Sequence, residues 1–228
     1  MNEPPEAGEG PPVTLAPMTS PTVWFTSDQH WGHANIIRFA GRPFADVAEM
    51  DEQLIANWNQ RVRAHDTVWL LGDVALGDTD RFLRRLDELA GTKHLVAGNH
   101  DRLFRRDRTT VRERWERRYH EAGFASIHHG DVEIELTPTC TVRAAHFPYE
   151  GDSHDRDRYV EHRPVDDGRP LLHGHTHGHW RKRGHMIDVG VDAWAGFPVD
   201  APTLAALFEQ GPTDLEPLPW QTDPTGDR

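Results

Sequence analysis

Cysteine is nearly absent: Cys140 stands alone in 228 residues. That excludes an internal disulfide and any zinc site built from thiolates, and it fits a reducing compartment. Long apolar runs are missing too. No segment approaches the roughly 18–20 apolar residues of a membrane helix, and MNEPPEAGEGPPVTLAPMTSP (1–21) lacks the basic start and apolar centre of a secretory signal. The expectation is a soluble cytoplasmic protein with no membrane partner. Basic charge is also short, with 25 Lys and Arg against 37 Asp and Glu for a net −12. Phosphate-backbone binding is driven by clustered Lys and Arg, so general attraction to nucleic acid is disfavoured. Residues 1–21 mix Pro, Gly and Glu without apolar periodicity and are expected to be a disordered tail. Residues 210–228 read as a loosely held Pro-rich tail, with Trp220 its one docking candidate. Between them, 22–209 is long enough for one domain.

Histidine is what the chain has in excess, sixteen in all. It is the commonest metal ligand and titrates near neutrality, so the positions of these residues matter. TVWFTS (22–27) is β-branched and aromatic and stops at DQHWGH, which reads as a buried strand running into a polar loop. TVWLL (67–71) stops at GDVALGD and KHLVA stops at GNHD in the same way. Between them, VAEMDEQLIANWNQRV sets Val47, Met50, Leu54, Trp58 and Val62 near helical spacing, and DRFLRRLDELAG puts Phe82, Leu83, Leu86 and Leu89 on one face. This alternation predicts an α/β fold with helices covering a sheet. After a helix over about 110–122, the second half reads as short strands: FASIHH, DVEIEL, TVRAAHF, RPLLHGHTHG, HMIDVGVD and TLAALFE.

The apolar runs end in one kind of chemistry: Asp28 and His30; Asp73; Asn99, His100 and Asp101; His146; His175 and His177. Rigid strand ends with variable loops are where α/β folds place ligand sites. Any one of these residues is unremarkable, since Asp caps helices and His is often half-buried. Together they are oxygen and imidazole donors without a thiolate, a set suited to borderline or hard divalent ions. Two cations about 3.5–4 Å apart need a bridging carboxylate, for which Asp73 is the natural choice, and a water held by such ions loses its proton near neutral pH.

The ordered set D-x-H, G-D, G-N-H-D, H and G-H-x-H resembles the calcineurin-like metallophosphoesterase superfamily, over a span from about Val23 to Val191. FTSDQHWGHANIIRFAGRPF and GDVALGD are similar to a bacterial and phage branch of predicted phosphoesterases. The resemblance implies a four-layer α/β/β/α sandwich of two mixed sheets. It implies that Asp28, His30, Asp73 and His177 hold one metal ion and Asp73, Asn99, His146 and His175 a second. Manganese is favoured, and zinc or iron suits the same ligands. His100 would act on the leaving oxygen with Asp101 orienting its ring. GDVALGD and GNHD depart from the G-D-x-V-D-R-G and G-N-H-E of the phosphoprotein phosphatases. Ala75 and Leu76 stand where purple acid phosphatases carry a tyrosine ligand.

Around this set, Asn99, His33, Arg102 and Arg105 are candidate substrate contacts. His33 reads equally as a rim residue or a helix cap, and the run Arg102–Arg118 as a guanidinium cluster at the site mouth or as a solvated, ion-paired helix face. Asp188 and Asp192 read as hydrogen-bond partners of ligating imidazoles or as turn residues. YEGDSHDRDRYVEHR reads as a lid carrying Tyr149, Arg156 and Arg158 or as a mobile loop. The expected function is hydrolysis of phosphodiesters, small or nucleotide-type, by a metal-bridging hydroxide. Its rivals are a nuclease, a phosphomonoesterase and a non-catalytic module on the same scaffold.

Overall fold

The structure, a computed structural model, describes residues 20–104 and 109–220. The tail expected at 1–21 falls almost wholly outside the described residues, as do Arg105, Arg106 and Arg108 of the arginine run and residues 221–228.

The first half runs β1 (Val23–Thr26), α1 (Ala34–Phe39), α2 (Val47–Arg61), β2 (Thr67–Leu70), α3 (Thr79–Leu83), β3 (Thr92–Val96) and α4 (Thr109–Ala122). The second continues with β4 (Phe124–His128), β5 (Val132–Thr137), β6 (Cys140–Ala144), β7 (Leu171–His173), β8 (Lys182–Arg183), β9 (Met186–Asp188), β10 (Val199–Asp200) and α5 (Ala201–Glu209). They form two mixed sheets, ordered β10-β1-β2-β3-β4 and β5-β6-β7-β9-β8. β1 to β4 are parallel, with β10 antiparallel on β1. β6, β7 and β9 are parallel in the second sheet, with antiparallel β5 and β8 at its edges.

Alternation along the strands sends side chains to opposite faces. Val68, Leu70 and Leu95 join Met50, Leu54 and Trp58 of α2, Tyr119 of α4 and the stacked pair Trp31 and Phe82 in one core. Phe25, Leu71 and Val96 join Ile134, Val142, Leu172 and Ile187 of the second sheet in another. The first sheet is therefore covered by helices on one face and by the second sheet on the other. Local chemistry starts the helices: Asp46 accepts from the N–H groups of Ala48 and Glu49 at the head of α2, while Glu49 reaches back to the Ala45 N–H.

Two expectations are corrected. TLAALFE is helical, not a strand. A short apolar run has no decisive period, and the deciding signal is Asp200, which caps α5 through the Thr203 N–H with Pro202 in the first turn. Residues 210–220 are not loose. Leu215 exchanges backbone hydrogen bonds with Lys182, Leu218 bonds to Ala193, and Trp220 packs edge-on against Phe44. The buried Lys182 ammonium donates to the carbonyls of Leu207 and Gly211, holding the end of α5. Among the described residues, no helix is long and apolar enough to cross a membrane.

Candidate metal centre

Because β1, β2 and β3 run in parallel, the loops carrying Asp28 and His30, Asp73, and Asn99 and His100 leave the sheet at one end. β6 and β7, also parallel, deliver His146 and then His175 and His177 from the second sheet. A cavity of about 220 Å³ lies where they meet, lined by His30, Asp73, Asn99, His100, His175 and His177 among others.

The backbone marks the same residues. Asp28 (φ 58°), His30 (52°), Asp73 (54°), His175 (72°) and His177 (47°) are left-handed, five of the seven such non-glycine residues described. Each such conformation costs about 1–3 kcal/mol, and such strain clusters at functional sites. Gly98 shows the crowding: a Cβ there would lie 2.6 Å from the Asp73 nitrogen.

Each inner carboxylate has one oxygen tied down and one left over. Asp28 Oδ2 accepts from the His175 N–H at 2.9 Å, and Asp73 Oδ1 from the His100 N–H at 2.8 Å. Asp73 Oδ2 then lies 3.6 Å from both His30 Nε2 and His146 Nε2. Asp28 Oδ1 lies 3.9 Å from His30 Nε2 and 4.0 Å from His177 Nε2. These gaps are too long for hydrogen bonds and near the roughly 3–3.5 Å between donors sharing one ion at about 2.1 Å. Asp28 Oδ1 and both nitrogens of His30 are buried without a hydrogen-bond partner. Orphaned buried donors and acceptors are costly, and a shared cation accounts for Asp28 Oδ1 and His30 Nε2 together. Asp28, His30 and His177 form one cluster able to hold an ion, and Asp28, Asp73 and His146 another. Asn99 Oδ1 is 2.9 Å from His146 Nε2, and the His175 ring centroid 5.3 Å from that of His146. The residues fit a metal centre.

Outer partners fix the imidazoles. His146 Nδ1 lies 2.7 Å from the Leu71 carbonyl oxygen, and His177 Nδ1 lies 3.1 Å from Asp192 Oδ2, leaving each Nε2 inward. Of the two readings for this pair, Asp192 takes that of imidazole partner. Asp188 takes that of turn residue: it accepts from the Thr176 hydroxyl and the Gly190 N–H, and burial, then the Asp28 charge, pushes its carboxyl up to about 7.

Three other expectations change. Asp101 does not orient the His100 ring. Its oxygens accept the backbone N–H groups of Gly98, Asp73 and Val74, so it ties the two loops together. Arg102 does not line the cavity but bonds to Thr79 Oγ1 and the Gly77 carbonyl. Arg105 lies outside the described residues. His33 holds the N-cap position of α1 without a side-chain cap bond, and it lines the cavity. In the described part of α4, Arg118 pairs with Asp80 and Arg112 with Glu116, an ion-paired helix face.

Two residues went unread in the sequence. Arg42, 4% exposed, holds Asp192 through two parallel bonds of 2.8 and 2.9 Å and also donates to the carbonyls of Gln29 and Asp28. Its only local signal is a lone cation between Gly41 and Pro43. Asp152, from the segment after His146, lies 3.2 Å from His175 Nε2.

Burial, then the neighbouring Asp28 and Asp101 charges, pushes the Asp73 carboxyl well above its usual range. Burial opposes charge on His177, yet its bond to Asp192 and the Asp28 and Asp192 carboxylates outweigh that and raise it. Burial, then His177, holds His30 well below its ordinary value and so neutral. A raised group keeps its proton, and an incoming cation must expel it. Divalent-ion affinity is therefore expected to fall as pH drops from about 8 to about 5, with net proton release on binding. Calorimetry in buffers of different ionisation heat checks this; pH-independent binding without proton release contradicts it.

No protein-family model matches the chain. It is 37% identical over 186 residues to the Gene 66 protein of Mycobacterium phage L5, covering 75% of this chain and 87% of that protein. The Gene 66 protein of Mycobacterium phage D29 is 35% identical over 182 residues, covering 75% and 88% respectively. Among solved structures, a protein of unknown function from Aquifex aeolicus superposes with a TM-score of 0.61 at 24% identity, over 82% of this chain and 100% of that one. That likeness concerns the fold. On identity and coverage together, the chain belongs to the family of the Gene 66 proteins of mycobacteriophages L5 and D29.

Proposed function

We propose that this protein is a phosphoesterase dependent on two divalent cations, hydrolysing small or nucleotide-type phosphodiesters. The reading assigns Asp28, His30, Asp73 and His177 to one ion and Asp73, Asn99, His146 and His175 to the other. One observation carries it: Asp73 Oδ2 is equidistant, at 3.6 Å, from an imidazole of each group. The calcineurin-like four-layer α/β/β/α arrangement belongs to the same proposal. Helices outside the first sheet and two sheets sharing a core support it.

When bound, such ions supply an activated water and offset phosphoryl charge. The chain supplies the rest. Asp73 and Asp28 hold their free oxygens inward because backbone N–H groups fix the other two. His100, its Nε2 4.0 Å from Asp73 Oδ2 and its side chain 40% exposed, reaches the cavity and protonates the leaving oxygen. Burial, then the nearby His146, holds its pKa down to about 4, so it takes its proton from solvent once the anionic substrate is bound, whose charge favours the imidazolium. Among the described residues of the run, Arg112 and Arg118 are ion-paired with Glu116 and Asp80, which weakens a nuclease reading.

The test uses metal-depleted protein restored separately with manganese, zinc or iron, assayed on bis-para-nitrophenyl phosphate, para-nitrophenyl phosphate, 2′,3′-cyclic nucleotides and labelled oligonucleotides. Diester turnover that needs added metal is expected, and no turnover with any metal refutes the reading. His100→Ala is expected to keep both ions and lose about 10²–10⁴-fold in diester turnover, the usual worth of a positioned acid. Metal content and kcat, measured on one preparation, check it.

A further inference from the structure

Asp152 is 4% exposed, although it comes from the 147–170 connection, whose only regular element is a 3-10 turn at Val160–His162. Its Oδ1 accepts from Arg158 Nη2 at 2.8 Å and Nε at 3.2 Å and from the His154 N–H at 3.1 Å. Its Oδ2 accepts from the Arg158 N–H at 2.9 Å and lies 3.2 Å from His175 Nε2. Against an ionised carboxylate held this way, the imidazole carries its proton on Nε2, which leaves the Nδ1 lone pair for a cation.

His146 and His177 show the mirror-image pattern, an outer acceptor on Nδ1 and Nε2 turned inward. Their outer partners are held close to the fold's frame, Leu71 following β2 directly and Asp192, in the short 189–198 connection, being gripped by Arg42. Asp152 alone among the three belongs to a long irregular connection. The same stretch contributes Ser153, His154 and Arg158 to the cavity wall.

We propose that Asp152 is a positioning residue for the second cation, setting the tautomer of His175 and so tying the order of the 147–163 segment to occupancy of that ion. This rests on the two-ion reading above. A cation held by Nδ1 would make Nε2–H a stronger donor and so tighten Asp152 and the segment around it. By reciprocity, an ordered segment presents His175 ready for the ion. One wall of the substrate cavity is thus assembled by the metal centre it serves.

The test is calorimetric titration of manganese into metal-depleted wild type, Asp152→Asn and Arg158→Gln. Tryptic cleavage after Arg156 and Arg158 is followed with and without manganese. Wild type is expected to bind two ions and to be protected at these sites by them. Asp152→Asn is expected to weaken one ion about 10–100-fold, to leave the other within about twofold, and to lose the protection. His175→Ala is expected to lose the protection likewise. Melting of the metal-free proteins checks folding. If Asp152→Asn melts early, Arg158→Gln, which frees Asp152 from its clamp, must show the same selective weakening. An Asp152→Asn protein that folds, binds both ions with wild-type affinity and keeps the protection overturns this inference while leaving the metal centre standing. Wild type that binds none of manganese, zinc or iron overturns both.

Discussion

Asp73→Ala is expected to bind neither cation firmly and to lose at least about 10³-fold in diester turnover, because the activated water depends on both ions. One oxygen of Asp73 faces His30 and His146 at equal distance, and the other is fixed by the His100 N–H. Alanine offers no donor in that position. The metal-free variant is expected to melt no lower than wild type, since the substitution removes a buried carboxyl that burial, then Asp28 and Asp101, already disfavours as an anion. Metal analysis, turnover and melting on one sample separate loss of the centre from loss of the fold. An Asp73→Ala protein with two ions and full activity contradicts the bridge.

Arg42→Ala is expected to cost about 3–5 kcal/mol, the usual penalty for leaving a buried ionic partner uncompensated. At about 2–4 °C per kcal/mol for a chain of this size, melting falls by roughly 10 °C. The substitution strands Asp192 and the carbonyls of Asp28 and Gln29 together, and it frees His177 from its fixed acceptor. Lysine does not rescue, since one ammonium cannot reproduce the planar fork. Burial favours a protonated Asp192, but Arg42, then His177, outweighs it and lowers the carboxyl to about 2. A lowered carboxyl contributes stability above its unfolded pKa of about 3.9 and loses it as pH falls toward the folded value. The gap between wild type and Arg42→Ala is therefore expected to hold above about pH 5 and to shrink between about pH 4 and pH 2. Melting across that range checks it; a gap that widens on acidification contradicts the pairing.

The candidate ligands were legible because each sits in a short motif directly after an apolar strand, where the chain has few local choices. α2 was legible through apolar periodicity, with Met50, Leu54 and Trp58 at helical spacing. α5 was misread because TLAALFE is too short to show a period, and the cap in Asp200 and Pro202 lies just before it. Asp101 was misread because adjacency to His100 says nothing about which loops its carboxylate will join. Its partners include Asp73 and Val74, 28 and 27 residues earlier, brought close by the pairing of β2 with β3.

The sequence by itself determined the α/β character, the strand ends that carry chemistry and the donor set, all of which depend on neighbours within a few residues. Only the tertiary structure decided what surrounds those donors. Arg42 meets Asp192 across 150 residues of chain, and Asp152 meets His175 across 23. Such partners are selected by sheet pairing and burial, and a buried charge finds its counter-charge in space, with no trace in local spacing.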